Sequence, residues 1–473
     1  MQADATDLAQ AIRSGRLTAS GAMKASLAAA QSFNRLGAIS HVDRDLGLRQ
    51  AEAFDATYRQ TKHESAPVIF GGVPMLAKDL GGPFAGFPLR CGSASLADQP
   101  VETSDSDLAV RFRKAGLLPF GLTTVPEFGL SLASEPAIGP VARNPLDETR
   151  TPGGSSGGAA AAVSAGIVAM AHATDAGGSI RVPAACCGLV GLKPTRGAIP
   201  GGPSFGNHLG GIASELAVCR SVRDTSAMLD ILAGNAQGPF PDPHLAPATS
   251  GTVLRIGILA GTSQAYPVAE DRAQALVEAG QTLERRGHRL VTLDPATLDA
   301  AVRTAGRVFG DIVAVNLAQL FDAVGLDEAK AEQLTRAFIA RGRALSGTAL
   351  WESLNAALPI GYAVSTLFDD LDILLMPMLA TAPLALGSFP SDHDDTMLQI
   401  ERMTAFAPYA TLANMTGLPA ITVPFGADAE GLPLPVQMMA PMGRDHQLLA
   451  LAGVLEAEGR WRHRFEIAGF ANA

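Results

Sequence analysis

Residues 152–158 read PGGSSGG, two adjacent serines among four glycines, and 24 residues after the first serine comes a third, in DAGGSIR, residues 175–181. Both Ser155 and Ser156 satisfy Gly-x-Ser-x-Gly, the turn that presents a nucleophile between a strand and a helix in α/β-hydrolases. That turn needs a buried strand directly before the serine. The preceding residues 142–152, ARNPLDETRTP, hold two prolines and a run of polar side chains, which argues against one. A phosphate-binding loop is excluded by the missing Gly-Lys-Ser/Thr ending. A helix is expected after the serines, in the Gly- and Ala-rich run GGAAAAVSAGIVAMAHA.

Ser179 reads differently. Ala176, Gly177 and Gly178 precede it, and two glycines free the backbone to aim successive N–H groups at one point. An oxyanion hole needs that, and one such donor is worth roughly 3–4 kcal/mol. Asp175 and Arg181 flank the turn, and their expected role is to hold its shape. A serine also needs a base. His172 with Asp175 suggests a Ser-His-Asp set, but His172 sits in AMAHAT, at the end of a buried helix or strand, and reads as a core histidine. Lys78 follows the apolar run VPMLA and could serve if burial keeps it neutral. A lone lysine is ordinarily a solvated surface group, and spacing alone does not choose between the two.

Outward from this region, strand and helix patterns alternate, which indicates an α/β sheet. A short apolar strand and a Gly-Gly turn in APVIFGG lead into a second apolar run ending at Lys78. A capped helix opening at Ser104 or Asp105 and closed by Gly116 leads into a strand in LLPFGLTT. The chain has 473 residues, 47% of them hydrophobic and 17% charged, so it has ample core, and one domain over 1–473 is expected. Its expected parts are N-terminal helices at 1–59, a catalytic core at 60–235, a variable segment at 236–400, and strands and a helix at 401–473.

The net charge of −10 makes nucleic acid a poor partner. The first residues show no signal peptide, and no run suits a membrane span. Cys91, Cys186, Cys187 and Cys219 read as free buried thiols in a reducing cytoplasm. No histidine pairing suggests a metal, and no cofactor is expected. The expected partner is a small molecule, with the chain a monomer or homodimer.

Taken together, GVPMLAKDL, TTVPEFG, RNPLDETRTPGGSSGG, GGSIRVPAACCGLVGLKPT, NMTGLPAITVPFG and GLPLPVQMMAP closely resemble the amidase signature family. The resemblance spans about residues 60–450 and is weakest at 240–400. It implies a central twisted mixed β-sheet flanked by helices. By position it implies Ser179 as nucleophile, Ser155 as bridging serine after a cis Gly154–Ser155 bond, and Lys78 as base. Ala176, Gly177, Gly178 and Ser179 would supply oxyanion N–H groups, and Ser156 would support the loop.

Within the family the chain looks most like bacterial stand-alone amidases of the 6-aminohexanoate-cyclic-dimer hydrolase and aryl acylamidase type. The stretch after GLKPT lacks the Val-Ser-Arg-Tyr-Gly typical of the glutamine-hydrolysing amidotransferase subunit, which stays the alternative beside an esterase-leaning hydrolase. Leu122 and Thr124 stand where Lys and Asn are common, and Pro435 replaces a usual Gly. Phe128, Leu130, Phe205 and His208 are the expected acyl-pocket residues.

Overall fold

The computed structural model describes residues 3–61, 68–203, 208–236, 241–249, 251–261 and 263–470. Eleven strands form one mixed sheet. They are β1 (Ile39–Val42), β2 (Pro74–Lys78), β3 (Leu118–Thr123), β4 (Met170–Asp175), β5 (Val190–Lys193), β6 (Ser214–Cys219), β7 (Arg255–Ile258), β8 (Arg289–Thr292), β9 (Ile373–Pro377), β10 (Ala420–Ala427) and β11 (Pro433–Met439). Their order across the sheet is β1-β3-β2-β4-β6-β5-β10-β11-β9-β7-β8. The triplets β3-β2-β4 and β9-β7-β8 run parallel, and the remaining neighbours pair antiparallel. Helices flank the sheet, as the α/β reading requires.

β2, β3 and β4 are buried at every position. A strand covered on both faces reads as a continuous apolar run, which is why their sequences do not alternate. The helix Gly157–Ser164 is likewise wholly buried. It is almost entirely Gly and Ala, and its small side chains let other backbone pass close by. A Cβ on Gly158 would stand 2.5 Å from the Ala38 carbonyl oxygen and from the Thr124 nitrogen.

Three local expectations need correction. The run at residues 68–70 is a turn and not a strand, because its backbone bonds to the loop after a helix: Phe70 N–H donates to Ala115 O at 3.0 Å and Gly72 N–H to Gly116 O at 2.9 Å. The helix Asp107–Lys114 is capped by Ser106 and not by Ser104 or Asp105; the Ser106 hydroxyl accepts the Ala109 N–H at 3.2 Å. The long Gly/Ala run is a helix followed by a strand. Gly166, at φ +76°, turns the chain between them, so His172 lies on β4. The four cysteines are free and buried, as expected.

Candidate active site

β2 and β4 lie side by side and parallel, with Leu76 opposite Ala171. Their carboxyl ends therefore deliver Lys78 and Thr174–Asp175 to one place, where α/β folds usually build sites. Lys78 is 1% exposed, and its Nζ lies 2.8 Å from Ser155 Oγ and 2.7 Å from Thr174 Oγ1. Burial pushes the Lys78 ammonium down from 10.5 to about 7, against the opposing pull of the Asp175 and Glu215 carboxylates. A neutral amine at these distances can donate one N–H to Thr174 Oγ1 and turn its single lone pair toward the Ser155 hydroxyl. Sequence reasoning missed Thr174, because a threonine at a strand end carries no local mark of function. Thr174→Val is expected to lower kcat by roughly 10- to 100-fold, part of what a well-aimed general base contributes. Steady-state kinetics on a neutral amide check this, with the circular dichroism spectrum unchanged.

The Gly154–Ser155 peptide bond is cis. A Cβ on Gly154 would lie 2.6 Å from the Ala133 nitrogen, so close backbone approach accounts for the glycine there. Ser156 is the fastening serine. Its hydroxyl lies 3.3 Å from Thr174 O and 3.4 Å from Thr174 N, and its own N–H donates to the Ser179 carbonyl at 3.3 Å. The two serine loops thus touch through backbone. The Ser179 side chain itself makes no hydrogen bond among the described residues.

The turn at 176–180 is shaped from below by Asp175. One carboxylate oxygen accepts the Gly178 N–H at 2.7 Å, and the other accepts the Ile180 N–H at 3.2 Å. Arg181 pairs with the same carboxylate at 2.9 and 3.0 Å, and both side chains are fully buried. Burial raises the Asp175 carboxyl, but the Arg181 charge and hydrogen bonds, with help from Asn414, outweigh it and hold the group at about 2. Asp175 holds the turn directly, and Arg181 holds Asp175. The Gly178 N–H is spent on Asp175, which revises the expected donor set. Among the described residues the N–H groups of Ala176, Gly177 and Ser179 make no hydrogen bond.

His172 is not a base for Ser179. Its Nδ1 accepts the Lys78 backbone N–H at 3.2 Å and its Nε2 faces Glu215 at 3.0 Å. Lys193 is also buried and pushed down by burial to about 7. Its Nζ donates to the Pro194 carbonyl and meets no hydroxyl among the described residues, so geometry and not proton affinity separates the two lysines.

A narrow cavity opens on Ser179 and Gly177, walled by Leu132, Phe309, Ile400 and Met403, with Thr404 and Thr411 as polar members. Phe309 belongs to the helix Asp299–Val324, and Ile400, Met403 and Thr404 to the helix Thr396–Phe406. A Cβ on Gly177 would meet the Phe309 ring at 3.2 Å. None of these wall residues was marked by the sequence. Of the expected pocket residues, Phe128 turns away to stack edge-on against Phe321 at 5.3 Å, and its neighbour Gly129 faces the cavity. Leu130 packs into the core formed by the 299–324 helix and the helix Gln333–Ala344. Phe205 and the His208 side chain lie outside the described residues. Among the described residues no group of three or more His, Cys, Asp or Glu could hold a metal, and no helix is long and apolar enough to cross a membrane.

The amidase family pattern matches residues 22–449. The chain belongs to the amidase signature family. It is 33% identical over 478 residues to a putative amidase, AmiB2, of Mycobacterium tuberculosis, covering 98% of this chain and 99% of that one. It superposes on the substrate complex of a 6-aminohexanoate cyclic dimer hydrolase with a TM-score of 0.88, at 28% identity over 98% of both chains. A bacterial aryl acylamidase shares the fold, with a TM-score of 0.84 at 22% identity, covering 97% of this chain and 96% of that one. This amidase is an amide-hydrolysing enzyme.

Proposed function

We propose that this amidase cleaves an uncharged linear or cyclic carboxylic amide through a Ser179–Ser155–Lys78 relay and an acyl-enzyme. The observation that carries the proposal is the buried Lys78 amine, held between Ser155 and Thr174 on the loop that touches the Ser179 turn. Neutral Lys78 accepts the Ser155 proton, Ser155 accepts that of Ser179, and Ser179 Oγ attacks the carbonyl carbon. The carbonyl oxygen takes N–H groups from Ala176, Gly177 and Ser179 as it gains charge. The proton returns through Ser155 to the leaving nitrogen, and water repeats the sequence on the ester. The Ser155–Ser179 hydrogen bond is the one link unmade in the resting chain, and catalytic hydrogen bonds often tighten only with substrate bound.

Among the described residues the cavity at Ser179 has no ionisable wall residue. A charged group beside the reacting carbonyl would lose its water there without a partner, which is costly. That supports a neutral acyl group over glutamine.

The acyl-enzyme is testable by acid-quenching turnover of an aryl amide and mass-analysing the peptides. An adduct on Ser179 is expected, and an adduct on Ser155 or Ser156 in its place overturns the relay. Lys78→Ala tests the base. Because the neutral amine is the working form, wild-type kcat/KM is expected to rise with pH through about 7 and to fall away below it. The variant is expected to lose roughly 10²- to 10⁴-fold at neutral pH. The gap narrows at alkaline pH, where hydroxide replaces the base. A variant that keeps the wild-type pH profile excludes Lys78.

A further inference from the structure

We infer that the buried His172–Glu215 pair is a positioning device for Lys78, holding its backbone and setting a fixed negative charge beside the amine. The inference rests on Lys78 being the base, as proposed above.

His172 on β4 and Glu215 on β6 come from neighbouring antiparallel strands, with Thr174 opposite Glu215. Both side chains are buried, at 0% and 1% exposure. The Lys78 backbone N–H is a donor, so the Nδ1 that receives it carries a lone pair. The imidazole proton is then on Nε2, where it is donated to Glu215 Oε1. The same oxygen accepts the Gly82 N–H at 3.0 Å. Phe84 and Phe112 flank the imidazole with ring centroids 5.3 and 5.6 Å away. Lys78, at the end of β2, is thus anchored by a ring that cannot turn without breaking packing on both sides.

Glu215 Oε2 is buried and has no hydrogen-bond partner among the described residues. Leaving a buried charged oxygen unpaired is expensive. A glutamine could accept both existing bonds through its one carbonyl oxygen, with its amide in the unpartnered position. The only thing the carboxylate adds is charge. The charged or titratable groups that face Lys78 come from three elements: Asp175 at the end of β4, Glu215 on β6 and Cys91 in the loop after Arg90. Burial pushes the Cys91 thiol far up, so it stays protonated. Both carboxylates favour the Lys78 ammonium, Asp175 with Arg181 paired to it and Glu215 with no Lys or Arg partner among the described residues. The Glu215 charge supports proton uptake by a base that burial alone would leave too weak.

The test is the pH dependence of kcat/KM, from about pH 5 to 9, on a neutral aryl amide with the full chain. Glu215→Gln keeps both hydrogen bonds and removes the charge. Its acid limb is expected to move to lower pH by about half a unit or more, with a lower alkaline plateau and an unchanged or higher melting temperature. Glu215→Asp, which keeps the charge, is expected to hold the limb nearer the wild-type position. An unmoved limb in the Gln variant, or an equal shift in both variants, overturns the inference. Lys78→Ala runs alongside. If it keeps the wild-type limb, the base assignment has failed; if it loses that limb while Glu215→Gln leaves it in place, only the positioning role has.

Discussion

Ser179→Ala is expected to lower kcat/KM by at least about 10⁴-fold while the chain folds as before, since loss of a serine nucleophile removes the whole covalent route. The fold should not notice the change. The hydroxyl makes no hydrogen bond among the described residues, and the contact with Ser156 runs through the Ser179 carbonyl, which alanine keeps. Lys78, Ser155 and the turn N–H groups remain in the variant. Without the Ser179 oxygen they have no attacking atom at the carbonyl. Residual turnover measures what the oxyanion turn and binding contribute alone. Turnover of an aryl amide within tenfold of wild type, with the variant's purity checked by intact mass, would remove Ser179 from its role.

Arg181→Leu is expected to destabilise the fold by about 3–5 kcal/mol, the usual consequence of stripping one partner from a buried ion pair. The guanidinium is fully buried and all three of its nitrogens donate: Nε to Asp175 at 2.9 Å, Nη1 to Gln437 at 2.7 Å, and Nη2 to Asp175 at 3.0 Å and to the Ala410 carbonyl and Asn414 at 2.8 Å each. It therefore ties the Ser179 turn to β11 and to the helix Ala410–Thr416. Leucine leaves the Asp175 carboxylate without its cation, and that carboxylate holds the Gly178 and Ile180 N–H groups. Denaturant unfolding gives the number. A loss under about 1 kcal/mol would mean that water or a shifted neighbour replaces the arginine. Activity should fall with stability, because the same carboxylate shapes the turn.

β2 and β3 were readable because each is a short apolar run bounded by Gly, Pro or polar residues. Both end close to where the pattern suggests, and the polar stretch before Ser155 holds only isolated bridges. The errors came where burial erases pattern. The run GGAAAAVSAGIVAMAHA is apolar throughout, so no periodicity separates its helix from β4. At residues 68–70 an apolar run looked like a strand, but its N–H groups belong to a loop.

The sequence by itself brought the two serine loops and Lys78 into view, and the roles it gives them come from the family resemblance. Two serine loops rich in glycine and a lysine closing an apolar strand are patterns that need no tertiary partner to be seen. The Asp175–Arg181 clamp is local too, six positions apart. Only the tertiary structure decided what surrounds them. Thr174 reaches Lys78 because β2 and β4 are neighbours, although 96 positions separate the two residues. Glu215 meets His172 across an antiparallel pair. The cavity wall comes from helices at 299–324 and 396–406, where an ordinary Phe, Ile or Met looks like any core residue. A side chain's part in a site depends on what stands opposite it, and strand order and helix packing fix that only once the chain has folded.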